Sequence, residues 1–252
     1  MASFYAARIK KWWLAGLLGG LASATRLVGI VLLPALLWEW WQEKVKSPFG
    51  PRSSGRGQKS LAYPPGQAKV KTATKNLKLS TALSILHSPV LYLVPLGLIA
   101  YMVYLQLNFD DWLYFWHVQP VFGAERSGSG FVLLPQVIWR YLKILFTTSF
   151  YHYNFWVAVW ELGSVVIGCG LWVVGLLKKI RVSYMIFSFF AIIIPTLTGT
   201  FSSMPRYILV AFPMFIVLGL IKNKPLKITL SVTCYLLSAI FTILFTSGRW
   251  VS

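Results

Sequence analysis

The sequence predicts an all-α protein, a polytopic bundle of transmembrane helices. Hydrophobic residues make up 57% of the 252 residues and charged residues only 12%, about half of the roughly 25% typical of a soluble domain. Several apolar runs with at most one charged residue also approach or exceed the about 20 residues that a spanning helix needs. We therefore expect a single integral membrane domain over residues 1–252, in a bacterial cell membrane or, in a eukaryote, in the endoplasmic reticulum membrane.

The apolar runs predict about five full spans. Four of them are long enough to cross the hydrocarbon core, and the fifth is short and expected to span barely or incompletely. The predicted membrane helices are Pro89–Leu107, Phe155–Leu177, Ser183–Phe201 and Ile228–Thr246, with Tyr207–Ile221 as the short one.

The first apolar stretch, Trp12–Trp41, is interrupted by Thr25-Arg26. As one helix it would measure about 45 Å against a hydrocarbon core of about 30 Å. Lys and Arg in short loops mark the cytoplasmic side, and basic clusters flank this stretch at both ends. Both clusters are cytoplasmic only if the chain enters and returns, so we predict a helical hairpin with Arg26 near its outer apex.

The remaining segments follow from that orientation. Phe131–Phe150 is expected on the outer side, and Arg140 and Lys143 near its middle favour an interfacial helix over a span. Residues 47–80 are rich in Pro, Gly and Lys and predict a flexible basic cytoplasmic loop. The formal net charge of +18 is therefore assigned to contact with anionic membrane lipids, with no nucleic-acid partner.

Two arginines are the sharpest candidates for a binding site. Arg26 and Arg206 both lie at the outer ends of short apolar segments, where an intramembrane charge is often functional. Arg offers a planar, permanently charged fork that suits phosphate. We predict that the two converge on one outward cavity. The alternative for each is snorkelling to the outer headgroups.

Other polar residues in apolar surroundings are weaker candidates. Glu161 lies in the outer third of a predicted span and is interpreted as a ligand-binding acid, as a counter-ion to Arg26 or Arg206, or as a protonated buried carboxyl. His117 and Gln119 belong to an aromatic outer segment, which is either a belt at the membrane interface or a platform for a carbohydrate or lipid. No metal site and no cofactor is predicted, since Asp110-Asp111 alone is weak evidence for a cation. Cys169 and Cys234 are interpreted as packing residues in contact with lipid.

Three short motifs extend this interpretation. They are Trp13–Gly29, which contains Thr25-Arg26; Asp110–Gln119; and Ser203-Met204-Pro205-Arg206-Tyr207 followed by Pro213. These stretches resemble motifs of the PIG-V-like mannosyltransferases, of the GT-C superfamily of multi-pass glycosyltransferases. The closing Gly248–Val251 also resembles the usual C-terminal end of that family.

The resemblance implies a GT-C-like C-terminal part and an inverting sugar transfer on the outer or lumenal face. The donor it implies is a polyprenyl- or dolichyl-phosphate sugar, with Arg26, Arg206 and Tyr207 at the substrate. It also implies a catalytic Asp in an early outer loop, and that loop is expected to be missing together with the first spans. The catalytic residue is therefore unknown, with Asp110, Asp111 or Glu161 as possible substitutes. The competing classes are a transporter or flippase for a lipid-linked anion and a non-enzymatic membrane scaffold.

Overall fold

The structure, a computed structural model, describes residues 1–46, 87–122 and 132–248. Every regular element in these ranges is a helix. The chain divides into two compact units, Met1–Tyr101 and Met102–Ser252, which are described separately below. The predicted loop 47–80 lies outside the described residues, as does Arg249 in the C-terminal motif.

The first unit contains three helices near the N-terminus and the first part of a long fourth helix. A short helix α1 is followed by α2 and, after a 3₁₀ turn, by α3; the long helix α4 begins in this unit. Their bounds are Ala2–Arg8 for α1, Trp12–Thr25 for α2, Leu27–Val31 for the 3₁₀ turn, Leu32–Lys46 for α3 and Pro89–Phe109 for α4.

The stretch predicted as a hairpin folds back on itself. Arg26 ends α2 in an extended conformation, with φ −147° and ψ 134°. The turn that follows is so tight that a Cβ atom at Gly29 would lie only 2.3 Å from the backbone of Ala22, and only glycine fits there. At the other end, the rings of Trp12 and Trp40 are 4.9 Å apart, so the start of α2 lies beside the end of α3. The side of the membrane that these ends face remains a prediction.

Small residues allow α2 and α4 to pack closely. A Cβ atom at Gly97 would lie 1.9 Å from the carbonyl oxygen of Gly20, so the two backbones approach where neither side chain intervenes. The hydroxyl of Ser23 donates to the carbonyl of Val94 at 2.6 Å. Close contact at Gly and Ser is a common way for helices to pack inside a membrane, where water provides no hydrophobic driving force.

The second unit contains two long helices and several short ones. After the end of α4 come a single-turn helix α5 and a 3₁₀ turn, and then six helices that run to the C-terminus. Their bounds are Tyr114–His117 for α5, Gln119–Phe122 for the 3₁₀ turn, Leu134–Thr147 for α6, Tyr153–Leu177 for α7, Val182–Thr196 for α8, Met204–Val210 for α9, Pro213–Gly219 for α10 and Lys224–Thr246 for α11.

Three of the described helices are long and apolar enough to cross a membrane: α4, α7 and α11. The protein is therefore an all-helical chain with the features of a membrane protein. Cys169 in α7 and Cys234 in α11 are free and exposed on the helix surfaces, where lipid would surround them. No residue of α11 is buried within the described part of the chain, as expected for a helix whose solvent is lipid.

Two predicted spans differ in the structure. The predicted helix 183–201 ends at Thr196. Gly199 follows with a left-handed φ of 88°, a conformation that takes the chain out of the helical path and that glycine adopts at little cost. The predicted helix 207–221 is two short helices, α9 and α10. The break comes at Ala211, since Pro213 has no N–H to donate to the preceding turn.

The helix predicted over 131–150 is shorter, spanning Leu134–Thr147. Its 14 residues measure about 21 Å, less than a hydrocarbon core of about 30 Å. Val137 and Tyr141 are buried, whereas Trp139 and Phe146 are 70% and 87% exposed. Such a two-faced helix is typical of one that lies along a surface, although its depth in the membrane remains a prediction.

Candidate functional site

The second unit contains a cavity of ≈ 520 Å³ between α6, α7 and the segment that follows α8. Both helices contribute residues at the spacing i, i+3, i+4 and i+7, which places four side chains on one helix face. The lining residues from α6 are Arg140, Tyr141, Lys143, Ile144 and Thr147; those from α7 are Asn154, Val157, Ala158 and Glu161; and Thr200 and Ser202 complete the wall.

Tyr141 holds the three parts of the wall together. Its hydroxyl donates to Glu161 Oε2 at 2.5 Å and accepts from the backbone N–H of Phe201 at 3.0 Å. Thr200 Oγ1 lies 3.0 Å from the same hydroxyl and accepts from Ser202 N at 3.1 Å. Since Tyr141 has one proton and gives it to Glu161, the hydroxyl proton of Thr200 points to Tyr141.

Burial makes the loss of any hydrogen bond in this network costly. Tyr141 and Glu161 each retain only 4% of their exposed surface, so a lost hydrogen bond would not be replaced by bulk water. Burial, together with the negative charge of Glu161, raises the pKa of Tyr141 above its ordinary range. The phenol therefore stays neutral and remains a donor across the physiological pH range.

The segment after α8 has an unusual backbone that brings hydroxyls to the cavity. Gly199 and Ser203 have left-handed φ angles of 88° and 66°, which turn the chain twice within five residues. Between these turns, Thr200 and Ser202 are buried and line the cavity. Arg140 Nη1 donates to the carbonyl of Gly199 at 3.1 Å and fastens the first turn to α6.

The chemical character of the cavity is mixed. Arg140 and Lys143 bring two cations, Glu161 brings one buried carboxyl group, and hydroxyl and amide groups are distributed around them. Cations suit phosphate or another anion, and hydroxyl and amide groups suit the hydroxyls of a sugar. The volume lies in the range of cavities that hold small ligands, about 300–1,000 Å³. Among the described residues no group of three or more His, Cys, Asp or Glu is arranged to hold a metal ion.

Of the residues predicted from the sequence, Glu161 lines this cavity. Arg206 and Tyr207 lie in the first turns of α9, a few residues after Ser202, and Arg206 is exposed. Arg26 is also exposed, at the end of α2. Because Arg26 belongs to the first unit and Arg206 to the second, their convergence remains a prediction.

The predicted aromatic segment forms a separate local structure. Asp111 Oδ2 lies 2.7 Å from His117 Nδ1, and Asp111 Oδ1 accepts from Leu113 N at 2.9 Å. The hydrogen bond from His117 is the main reason that the pKa of Asp111 is lowered. Gln119 Nε2 donates to the carbonyl of Phe115 at 2.9 Å. These contacts shape the turn after α4.

Sequence reasoning missed Tyr141 and the position of Arg140 and Lys143 in the wall of a cavity. It interpreted the two cations only as a reason why the helix does not span. A usable signal was present, because Arg140, Lys143 and Thr147 recur at i, i+3 and i+7 on one face of an otherwise apolar helix. Tyr141 carried no such signal, since its partners Glu161 and Thr200 are 20 and 59 positions away.

In comparisons with protein-family models, with curated proteins and with solved structures, nothing matches this chain. The resemblance to PIG-V-like mannosyltransferases therefore rests on the short sequence motifs alone.

Proposed function

We propose that this chain is a membrane glycosyltransferase of the mannosyltransferase type, or a part of one. It would transfer a sugar from a polyprenyl- or dolichyl-phosphate donor on the outer or lumenal face. The observation that carries the proposal is the cavity beside α6 and α7, where two cations and several hydroxyl and amide groups line one ligand-sized volume. The motifs around Arg26 and Arg206 supply the second support.

The cations would bind the donor's phosphate. A sugar linked to a lipid through one phosphate carries a single negative charge, and the phosphate gains a second when the sugar leaves. Arg140 and Lys143 would therefore bind the leaving group more tightly than the donor, which is how a fixed charge lowers a barrier. The amide of Asn154 and the hydroxyls of Thr147 and Ser202 are suited to the sugar.

Glu161 is better suited to shaping the cavity than to accepting a proton. It is almost entirely buried and already accepts a short hydrogen bond from Tyr141. A general base must reach the hydroxyl proton of the acceptor, so we assign no catalytic base among the lining residues. This feature favours a second candidate, a transporter or flippase that binds the same lipid-linked anion and needs no base.

A donor-binding experiment tests both candidates. Purified full-length chain in neutral detergent is mixed with radiolabelled polyprenyl-phosphate mannose, and the bound label and the released polyprenyl phosphate are measured. Arg140→Ala and Lys143→Ala should each weaken binding about 10- to 100-fold, because a hydrogen bond to a charged group contributes about 1.5–3 kcal/mol. Lys178→Ala, at an exposed lysine outside the cavity, is the matched control and should bind like the unaltered chain.

The outcomes separate the candidates. Binding with cleavage of the sugar–phosphate bond supports the transferase, and binding without cleavage supports the transporter. Absence of donor binding by the unaltered chain overturns both proposals. Equal binding by Arg140→Ala, Lys143→Ala and the control would place the donor elsewhere in the protein.

A further inference from the structure

The first unit contains a second cavity, of ≈ 550 Å³, at the end where α2 begins and α3 ends. We call it the tryptophan cavity. It lies within the first unit and is independent of the cavity beside α6 and α7. Its lining residues are Lys10, Lys11, Trp12, Trp13, Leu14, Trp40, His87 and Pro89.

Tryptophan residues cluster around the tryptophan cavity and indicate its depth in a membrane. Five of the chain's 12 Trp residues lie either in the first turn of α2 or in the central turns of α3. The rings of Trp12 and Trp40 meet at 4.9 Å, and those of Trp38 and Trp41 at 5.0 Å. Trp is enriched where the hydrocarbon meets the polar headgroups, so the tryptophan cavity is placed at headgroup level.

The turn between α1 and α2 brings two adjacent lysines to the cavity. Lys10 has a left-handed φ of 61°, its N–H donates to the carbonyl of Ala7, and that of Lys11 donates to Ala6. This pattern is the Schellman motif, which usually has Gly in the left-handed position. Lys10 is paired with Glu43 at 3.3 Å, whereas Lys11 makes no ion pair with a described residue.

The start of α2 adds a further attraction for an anion. The N–H groups of its first turn, at Trp12, Trp13 and Leu14, have no intrahelical partner, and no side chain caps them. They belong to a helix of 14 residues, whose N-terminus carries a partial positive charge of about half a unit. The lysines and this helix end lie in the wall of one cavity, an arrangement that suits a phosphate group.

We propose that the tryptophan cavity is a binding site for the phosphate headgroup of an anionic membrane phospholipid. Lys11 and the first turn of α2 bind the phosphate, and Trp13, which is 73% exposed, packs against the glycerol and upper acyl chains. Glu43 positions the site, since its two oxygens hold Lys10 and the indole N–H of Trp12 at 3.3 and 3.0 Å. A lipid is favoured over a soluble phosphate because the tryptophans place the cavity at headgroup depth.

Native mass spectrometry of the purified full-length chain tests the site. The probes are phosphatidylglycerol and phosphatidylcholine of matched acyl chains. We expect at least one phosphatidylglycerol molecule to remain bound at about tenfold lower concentration than phosphatidylcholine. Lys11→Ser should abolish this preference and Lys11→Arg should keep it. Lys178→Ser is the matched control, an exposed lysine beside another turn with a left-handed lysine, Lys179.

Three results would overturn the inference: equal retention of the two lipids by the unaltered chain, loss of the preference in Lys178→Ser as strongly as in Lys11→Ser, or displacement of phosphatidylglycerol by millimolar inorganic phosphate. The last result would identify the ligand as a soluble phosphate. If Lys11→Ser fails to fold, as judged by its thermal unfolding, Trp13→Ala replaces it and should weaken retention of phosphatidylglycerol. No sugar donor enters this experiment, so its outcome is independent of the proposed transferase function.

Discussion

Replacing Tyr141 by Phe removes one hydroxyl from a buried network and leaves the ring in place. Three interactions are lost: the donation to Glu161 at 2.5 Å, the contact with Thr200 at 3.0 Å and the acceptance from Phe201 N at 3.0 Å. The ring stays packed on Phe201, whose centroid is 4.8 Å away. The change therefore reports on hydrogen bonding and leaves the apolar packing largely unchanged.

The expected cost follows from these contacts. A hydrogen bond to a charged group contributes about 1.5–3 kcal/mol, and a buried N–H left without a partner costs about 1–3 kcal/mol. These contributions overlap, because rearrangement within the cavity can bring water to one of the groups. We expect the free energy of unfolding to fall by roughly 2–4 kcal/mol.

The assay is denaturant unfolding of the full chain in detergent, followed by circular dichroism. Tyr151→Phe is the matched control, since the Tyr151 side chain is 99% exposed and its loss of a hydroxyl should change stability by less than about 0.5 kcal/mol. Glu161→Gln keeps the shape of the partner, and its combination with Tyr141→Phe should show a coupling of about 1 kcal/mol or more. If Tyr141→Phe is as mild as Tyr151→Phe, the network does not hold the cavity together.

Three further predictions concern pH, helix packing and topology. The pKa of Tyr141 is raised by burial and by Glu161, so its contribution to stability is fully present below the ordinary tyrosine pKa of about 10 and is lost as the pH rises through the raised pKa. At pH 11 Tyr141 should still be neutral, and the folded unaltered chain and Tyr141→Phe should show equal tyrosinate absorbance. A smaller absorbance in the variant would contradict this. Gly97→Ala should destabilise the chain by about 1–3 kcal/mol, since its Cβ would lie 1.9 Å from a carbonyl oxygen of α2, whereas Gly163→Ala meets nothing within 4 Å and should be neutral or stabilising by thermal unfolding. With both native cysteines replaced by serine, Tyr5→Cys and Lys44→Cys should label from the same side of the membrane, because the start of α2 lies beside the end of α3; labelling from opposite sides would exclude the hairpin.

The sequence by itself determined the class of protein and most of its long helices. Low charge and long apolar runs predict membrane helices because lipid penalises unpaired polar groups, a constraint that acts on each segment locally. The runs at 89–107 and 155–177 accordingly lie within Pro89–Phe109 and Tyr153–Leu177. Local chemistry also explains where the helices differ from these predictions, since a left-handed Gly199 follows the end of one and Pro213 divides another that apolar composition alone would continue.

Only the tertiary structure decided which polar residues meet. Arg140 and Lys143 look in the sequence like obstacles to a span, and they become part of a cavity wall only because α6 packs its polar face beside α7. Tyr141 gains its importance from Glu161 and from the turn at Thr200, and no pattern in the sequence specifies that these distant positions are neighbours. Secondary structure and lipid exposure follow from nearest neighbours in the chain, whereas a binding site depends on packing between helices far apart in sequence.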